Sequence, residues 1–408
     1  MYYSKKMAWL VFSPIFMLIP SSFANGQTEK QFTAARLKMV SEFIEKEGVT
    51  DKAVLKSMRS VPRHQFVRSA DRRYAYIDTA MPIGFKQTIS PPYIVAYMTQ
   101  TIEPKPTDVV LEIGTGSGFQ AAVLSGIVKK VYSIEIVPQL GNAAAKRLKR
   151  LGYDNVTTKV GDGFKGWKEH APFDKIIVTC SPEKIPQPLV DQLKEGGKML
   201  IPLGERYQQV FHLLVKKDGK LLQKRLVPTL FVPMTGISEK NRNVKPDPAN
   251  PKIVNGSFEI DANKDGRPDN WHYQRKLTRQ TVGSAAGSKH ISLDNDEAGR
   301  LAQLLQGLAL DGRRVRKIQI SASLKYQQTA LGTTSNEVPA VLVPFFDSDR
   351  KSIGVDGIGP LIGSNRSWTR HRKTINVPRG AREAVIQIGL NGGTGKLEID
   401  DLTLIPIK

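Results

Sequence analysis

The sequence predicts an α/β fold with a parallel sheet covered on both faces, followed by an all-β sandwich. Three observations predict it. Between residues 107 and 215, short apolar runs alternate with helical stretches, the pattern of a parallel sheet buried under crossover helices. A glycine-rich turn, Gly114-Thr-Gly116-Ser-Gly118, follows the first of these runs. Beyond residue 252 helical periodicity stops, and short alternating runs remain between clusters of Gly, Asn and Asp, as in a sandwich.

The elements follow in order. Phe32 to Glu47 carries Leu37, Val40, Phe43 and Ile44 at helical spacing, and Asp51 can cap a second helix over Lys52–Ser60. Val109–Ile113 is the first strand, and Phe119–Ile127 the helix after the glycines. Val131–Ile136, Val156–Val160, Lys175–Thr179 and Lys198–Pro202 repeat the scheme, with a helix over Gln139–Leu151. Gln209–Lys216 and Lys224–Phe231 flank Asp218-Gly219, a turn signal that predicts antiparallel pairing. Residues 236–252 hold Pro246, Pro248 and Pro251 without periodicity and read as a linker. The sandwich follows over 253–408, with strands expected at Ile318–Leu324, Val338–Phe346, Ala384–Ile388 and Lys396–Ile405.

Composition bounds the function. The chain has 408 residues, 40% hydrophobic and 24% charged, which fits globular domains and excludes a fibre or wholesale disorder. Net charge is +22, yet residues 251–408 carry 23 Lys and Arg against 16 Asp and Glu, so the excess is spread over both parts. A localised nucleic-acid footprint is not indicated. The single cysteine, Cys180, excludes an intrachain disulfide and a cysteine-only zinc site, and reads as a core residue at a strand end. At the amino terminus, Lys5 and Lys6 precede an apolar stretch from Ala8 to Ile19 and a small-x-small site, Ser22-Phe23-Ala24. This is the plan of a secretory signal peptide over 1–24, so a periplasmic or secreted, soluble mature chain is expected.

The glycine turn carries the first chemistry. Glycines let backbone approach a ligand closely. Glu135, at the end of the next strand, lies 21 residues after Gly114, where an acid meets ribose hydroxyls in dinucleotide folds. That spacing leaves a nicotinamide dinucleotide and another adenosine cofactor open. Glu112, just before the glycines, would repel a pyrophosphate but suit a sulfonium and an amino group. The third glycine also comes one residue early for the dinucleotide fingerprint. Both features favour S-adenosylmethionine. Gly161-Asp162-Gly163 after the third strand adds an acceptor for an adenine amino group. The candidate cofactor residues are therefore Glu112, Gly114, Thr115, Gly116, Ser117, Gly118, Glu135, Asp162 and Gly163.

The residues before the turn narrow the reading. Ala80-Met-Pro-Ile-Gly-Phe-Lys-Gln87-Thr88-Ile89-Ser90-Pro-Pro-Tyr93, Val61-Pro-Arg63-His-Gln-Phe66-Val67, Val110-Leu-Glu-Ile-Gly-Thr-Gly-Ser-Gly-Phe-Gln-Ala-Ala-Val-Leu124 and Leu193-Lys-Glu-Gly-Gly-Lys-Met-Leu-Ile-Pro-Leu-Gly204 resemble protein-L-isoaspartate O-methyltransferases. The resemblance covers about residues 30–235, with a catalytic domain expected over 28–235. It implies a seven-stranded Rossmann-like, S-adenosylmethionine-dependent methyltransferase fold. It also implies methylation of the α-carboxylate of L-isoaspartyl residues in damaged proteins, followed by succinimide closure. The active-site residue it implies is Ser90, with Thr88 beside it. Read without the resemblance, Ser90 is an N-cap for a helix opening at Pro91. Most members of the family are cytoplasmic, which keeps a cytoplasmic location as the alternative.

Two other functions compete. Ser90-Pro91-Pro92-Tyr93 matches the signature of amino-group methyltransferases acting on nucleic acid, but it lies upstream of the glycine turn, where most such classes do not place it. An export signal beside a sandwich also suits a binding protein that keeps a relic fold. The sandwich opening, Ile253-Val-Asn255-Gly-Ser-Phe258 to Trp271, and its close, Leu397-Glu-Ile-Asp400-Asp401, resemble carbohydrate-binding-module-like, galactose-binding-type domains. That implies a carbohydrate or cell-surface ligand, with Trp271 and Trp368 available for stacking or for the core. Asp261, Asn263, Asp265 and Asp269 surround a glycine and suit either a calcium loop or an Asx turn.

Overall fold

A computed structural model describes residues 27–407, and the expected signal peptide lies outside the described residues. The catalytic part opens with α1 (Glu29–Val40), continued by a π-turn over Ser41–Glu45, and α2 (Lys52–Ser60). The Asp51 carboxylate accepts from the Ala53 and Val54 amides, as its place before α2 predicts. Leu37 departs from expectation and is exposed. A small hairpin, β1 (Met81–Gly84) and β2 (Gln87–Ile89), precedes α3 (Pro92–Thr101).

The main sheet comprises β3 (Val109–Ile113), β4 (Lys130–Glu135), β5 (Val156–Val160), β6 (Phe173–Val178), β7 (Leu193–Glu205), β8 (Gln208–Lys217) and β9 (Lys220–Thr229). Helices α4 (Phe119–Ser125), α5 (Pro138–Arg150) and α6 (Gln187–Asp191) connect the parallel strands, and α7 (Ile237–Lys240) follows the sheet. The strand order is β5-β4-β3-β6-β7-β8-β9. Strands β3 to β7 pair in parallel, while β8 and β9 are antiparallel. Asp218 and Gly219, both at positive φ, form the two-residue turn between them. Successive residues of β3 face opposite cores: Val110 joins Met58, Met98 and Phe119, and Leu111 joins Trp167, Phe173 and Leu189. Burial on both faces explains the unbroken apolar runs. Chain order reverses between β3 and β6, so a cleft opens beyond their carboxyl ends.

The carboxyl-terminal part stacks two five-stranded antiparallel sheets. One orders β10 (His272–Arg275), β13 (Gln303–Ala309), β18 (Glu383–Gly389), β15 (Ala340–Phe346) and β16 (Ser352–Ile358). The other orders β11 (Leu277–Gln280), β12 (His290–Asn295), β19 (Thr394–Ile407), β14 (Lys317–Ala330) and β17 (Gly363–Asn376). Phe258, Trp271, Ile320, Phe345 and Ile399 fill the space between them. Trp271 is fully buried and donates to the Asn255 carbonyl, so it belongs to the core and is closed to sugars. Trp368 lies half-buried on β17, its indole bonded to the Gly283 carbonyl.

Two expectations are corrected here. Asp261 accepts from the Asp265 and Gly266 amides and pairs with Arg279. Asn263 bonds Asp265, and Asp269 takes the Ala262 amide and Arg225. Among the described residues no group of three acidic, His or Cys side chains is placed to hold a metal. The loop has the hydrogen bonding of an Asx-type turn, its carboxylates accepting backbone amides and pairing with arginines. The second correction concerns the linker, whose first residues form α7 and pack onto the cleft rim. Ile237 N–H donates to Asp162, and Arg242 reaches the Ser181 carbonyl. Among the described residues no helix is long and apolar enough to cross a membrane.

Candidate active site

The cleft beyond β3 and β6 holds about 740 Å³ of non-atom space, open solvent at its mouth included. On one side it is lined by Gly114, Thr115, Gly116, Ser117, Glu135 and Gly163, on the other by Gln87, Thr88, Ile89 and Ser90. The structure thus brings most of the expected cofactor residues and both expected catalytic residues to one cavity.

The glycine turn has its shape for a local reason. Gly114 adopts φ +98°, and a Cβ there would overlap the Thr179 hydroxyl, which bonds the Ile113 and Gly114 carbonyls. Glu135 completes the turn. One carboxylate oxygen accepts from Gly116 N–H at 2.7 Å and the other from Val137 N–H at 2.9 Å. Burial pushes its carboxyl upward, and these amides oppose the shift. Each oxygen keeps a second lone pair for a ribose hydroxyl.

Three expected cofactor residues do not line the cleft. Glu112 is fully buried behind the turn, where Ser133 donates to one of its oxygens and in turn bonds Thr115 at 2.6 Å. Its other oxygen has no partner among the described residues. Burial pushes its pKa up to about 8, Ser133 opposing and Glu135 adding to the rise. Glu112 braces Thr115 through Ser133, and its place behind the turn, outside the cleft lining, corrects the expected direct contact with a sulfonium. Gly118 is set against Leu148 of α5, which a Cβ would crowd, so its role is close packing. Asp162 stands at the rim, accepting from the Phe164 and Ile237 amides.

On the opposite side, α3 is capped in an unexpected way. Its N-cap is Pro91, without a side-chain cap, so the N-cap reading of Ser90 is corrected. The cap is supplied from elsewhere: Asp78 accepts from Tyr93 N–H at 2.9 Å. The hydroxyls of Thr88 and Ser90 have no hydrogen-bond partner among the described residues, and both face the cleft. Polar atoms left unpaired in a cleft are available to a ligand.

Residues that sequence reasoning missed also line the cleft. Gln120 donates to Thr99 while its buried carbonyl oxygen stays unpaired. Thr179 and Cys180 lie at the end of β6, so Cys180 faces the cleft as well as the core. Val232 to Thr235 close the cavity, held by a bridge between Ser181 and Pro233. For that last segment the only available signal was the apolar run after β9. S-adenosylmethionine fits this set. The glycine turn gives backbone access, Glu135 has spare acceptor capacity, and Ile136, Val232 and Met234 offer an apolar bed for a purine.

Comparison with known proteins agrees. Residues 34–239 match the sequence model of the protein-L-isoaspartate(D-aspartate) O-methyltransferase family. Protein-L-isoaspartate O-methyltransferase 2 of Syntrophobacter fumaroxidans is 50% identical over 224 residues, spanning 52% of this chain and 91% of that protein. The protein-L-isoaspartate O-methyltransferase of Opitutus terrae is 48% identical over 224 residues, spanning 55% and 96%. A solved protein-L-isoaspartate O-methyltransferase structure is similar at 30% identity and a TM-score of 0.47, over 50% of this chain and 67% of that one. A glycine turn, a carboxylate beside it and an unpaired Thr88–Ser90 edge all lie within residues 34–239, the part that the family model matches. On these grounds the chain belongs to the protein-L-isoaspartate(D-aspartate) O-methyltransferase family, with an all-β domain added after it.

Proposed function

We propose that the protein repairs damaged proteins and peptides by methylating the α-carboxylate of L-isoaspartyl residues. The observation that carries this is the shared cleft, with the glycine turn and Glu135 on one wall and the free hydroxyls of Thr88 and Ser90 on the other. Gly114–Ser117, Glu135 and Gly163 would hold S-adenosylmethionine, which would supply a methyl group on a positively charged sulfur, already a good leaving group. A carboxylate is anionic at neutral pH. Transfer to it would form an oxygen–methyl bond as the carbon–sulfur bond breaks, the sulfur keeping the electron pair. No proton moves, so no general base is needed. The chain's own task is to hold the carboxylate in line and exclude water. Ser90 and Thr88 donate to the carboxylate, and Ile89, Val95 and Phe119 keep the surroundings apolar.

Methyl transfer to matched isoaspartyl and aspartyl peptides tests the proposal. Strong preference for the isoaspartyl peptide is expected, and equal labelling of both would refute the substrate.

Export is part of the same proposal, supported by Lys5, Lys6, the apolar stretch and Ser22-Phe23-Ala24. Sequencing the mature amino terminus should find cleavage after Ala24. A carbohydrate or cell-surface ligand for the sandwich has only Trp368 to support it, with Lys325 5.0 Å from its ring centre. Glycan binding that survives Trp368→Ala would remove that support.

A further inference from the structure

The sandwich reaches the substrate side of the cleft through β10, an edge strand with a bulge between His272 and Arg275. Bulges re-aim side chains, and here Tyr273 and Arg275 both reach the catalytic part. Tyr273 adopts φ +57°, a costly conformation for a bulky residue that its surroundings must impose. Its hydroxyl donates to Asp78 Oδ2 at 2.8 Å. Arg275 lies 3.4 Å from the same oxygen, pairs with Glu47 at 3.2 Å, and stacks its guanidinium 3.6 Å from the centre of the Tyr93 ring.

Asp78 is almost wholly buried, and its remaining oxygen caps α3 through Tyr93 N–H. Burial raises its pKa, and Arg275 is the chief opposing influence. The same carboxylate therefore anchors the second domain and the start of the helix that follows Ser90. Among the described residues no other side-chain cap serves α3.

We propose that Tyr273 and Arg275 are positioning residues for the methyl-transfer site: by holding Asp78 and Tyr93, the sandwich fixes the start of α3 and thereby Ser90. The all-β domain completes the substrate wall and leaves the cofactor wall alone. This rests on the function proposed above, since Ser90 is read as a carboxylate ligand.

The test uses the full chain and compares wild type with Tyr273→Phe, which removes one hydroxyl, and Arg275→Ala. Arg225→Gln, which breaks the Arg225–Asp269 pair at another point between the two parts, serves as the control. In Tyr273→Phe the KM for an isoaspartyl peptide should rise about tenfold, as for one lost hydrogen bond to a charged group. Arg275→Ala should rise further. The S-adenosylmethionine Kd from calorimetry should stay within about twofold, because only the peptide side is touched. Amide hydrogen exchange should quicken over residues 78–93 in both variants. Unchanged KM and exchange in Tyr273→Phe would overturn the proposal. So would an equal rise in Arg225→Gln, which would mean that general loosening, not this contact, moves the loop. If wild type fails to methylate the isoaspartyl peptide, the functional reading falls, and the exchange comparison still decides the positioning role.

Discussion

The two walls of the cleft are built differently. On the cofactor wall, three polar side chains are tied down locally: Glu135 to the Gly116 and Val137 amides, Thr179 to two carbonyls of the turn, Thr115 through Ser133 to Glu112. On the substrate wall, Thr88 belongs to, and Ser90 directly follows, a two-stranded hairpin whose turn, Phe85-Lys86, is exposed. Its anchor, Asp78, is gripped from outside the catalytic part. Two isolated strands are marginal in water. A parallel sheet buried on both faces can pre-form a ligand site by itself, and a short hairpin needs external support.

Substitutions can break or sharpen that contrast. The largest effect belongs to the cofactor wall. Gly114→Ala places a methyl on the Thr179 hydroxyl at φ +98°, a strain of about 1–3 kcal/mol before the overlap is counted. S-adenosylmethionine binding by calorimetry should fall at least about 100-fold, and retained binding would show that the turn is softer than its hydrogen bonds suggest. Ser90→Ala comes next. Loss of one donor to a charged group, about 1.5–3 kcal/mol, should cut kcat/KM roughly 10–100-fold. Cofactor affinity should stay unchanged; a matching loss there would erase the distinction between the walls.

Glu112→Gln is smaller and pH-dependent. The folded-state pKa of about 8 lies above the ordinary 4.5, so the folded protein binds the extra proton. The stability this gives is full below pH 4.5 and fades as pH rises through about 8. Between about pH 5 and about pH 9 the Tm of wild type should therefore fall more than that of Glu112→Gln. Parallel curves would show that Glu112 ionises freely. The smallest effect is expected at Asp261–Asp269: adding calcium or a chelator should leave the Tm within about 1 °C, below the shift of a single kcal/mol.

Local signals made part of this legible. Asp51 announced α2, Asp218-Gly219 announced the β8–β9 turn, and the glycines with Glu135 announced the cofactor wall, because each depends on residues close in sequence or on strand spacing. What stayed hidden depends on distant contacts. Strand β17 is polar along most of its length and carries Arg366, Arg370 and Arg372, so no apolar alternation marks it. Glu112 sits two residues before the turn, yet its direction is set by β-strand alternation toward Ser133 and away from the cleft. The Asp78 cap spans 15 positions and the Tyr273 contact 195, separations at which a single sequence carries no pairing signal.

Among the described residues lining the cleft, none is lysine, arginine or histidine. Under the proposed reaction, the arriving group is an anion gripped without a cationic side chain, and the departing one is an uncharged ester. Hydrogen bonds to an ionised acceptor are roughly twice as strong as neutral ones, so methylation itself weakens the hold. An arginine fork would bind the substrate more tightly. A wall of hydroxyls lets the finished product go and readies the enzyme for another turnover.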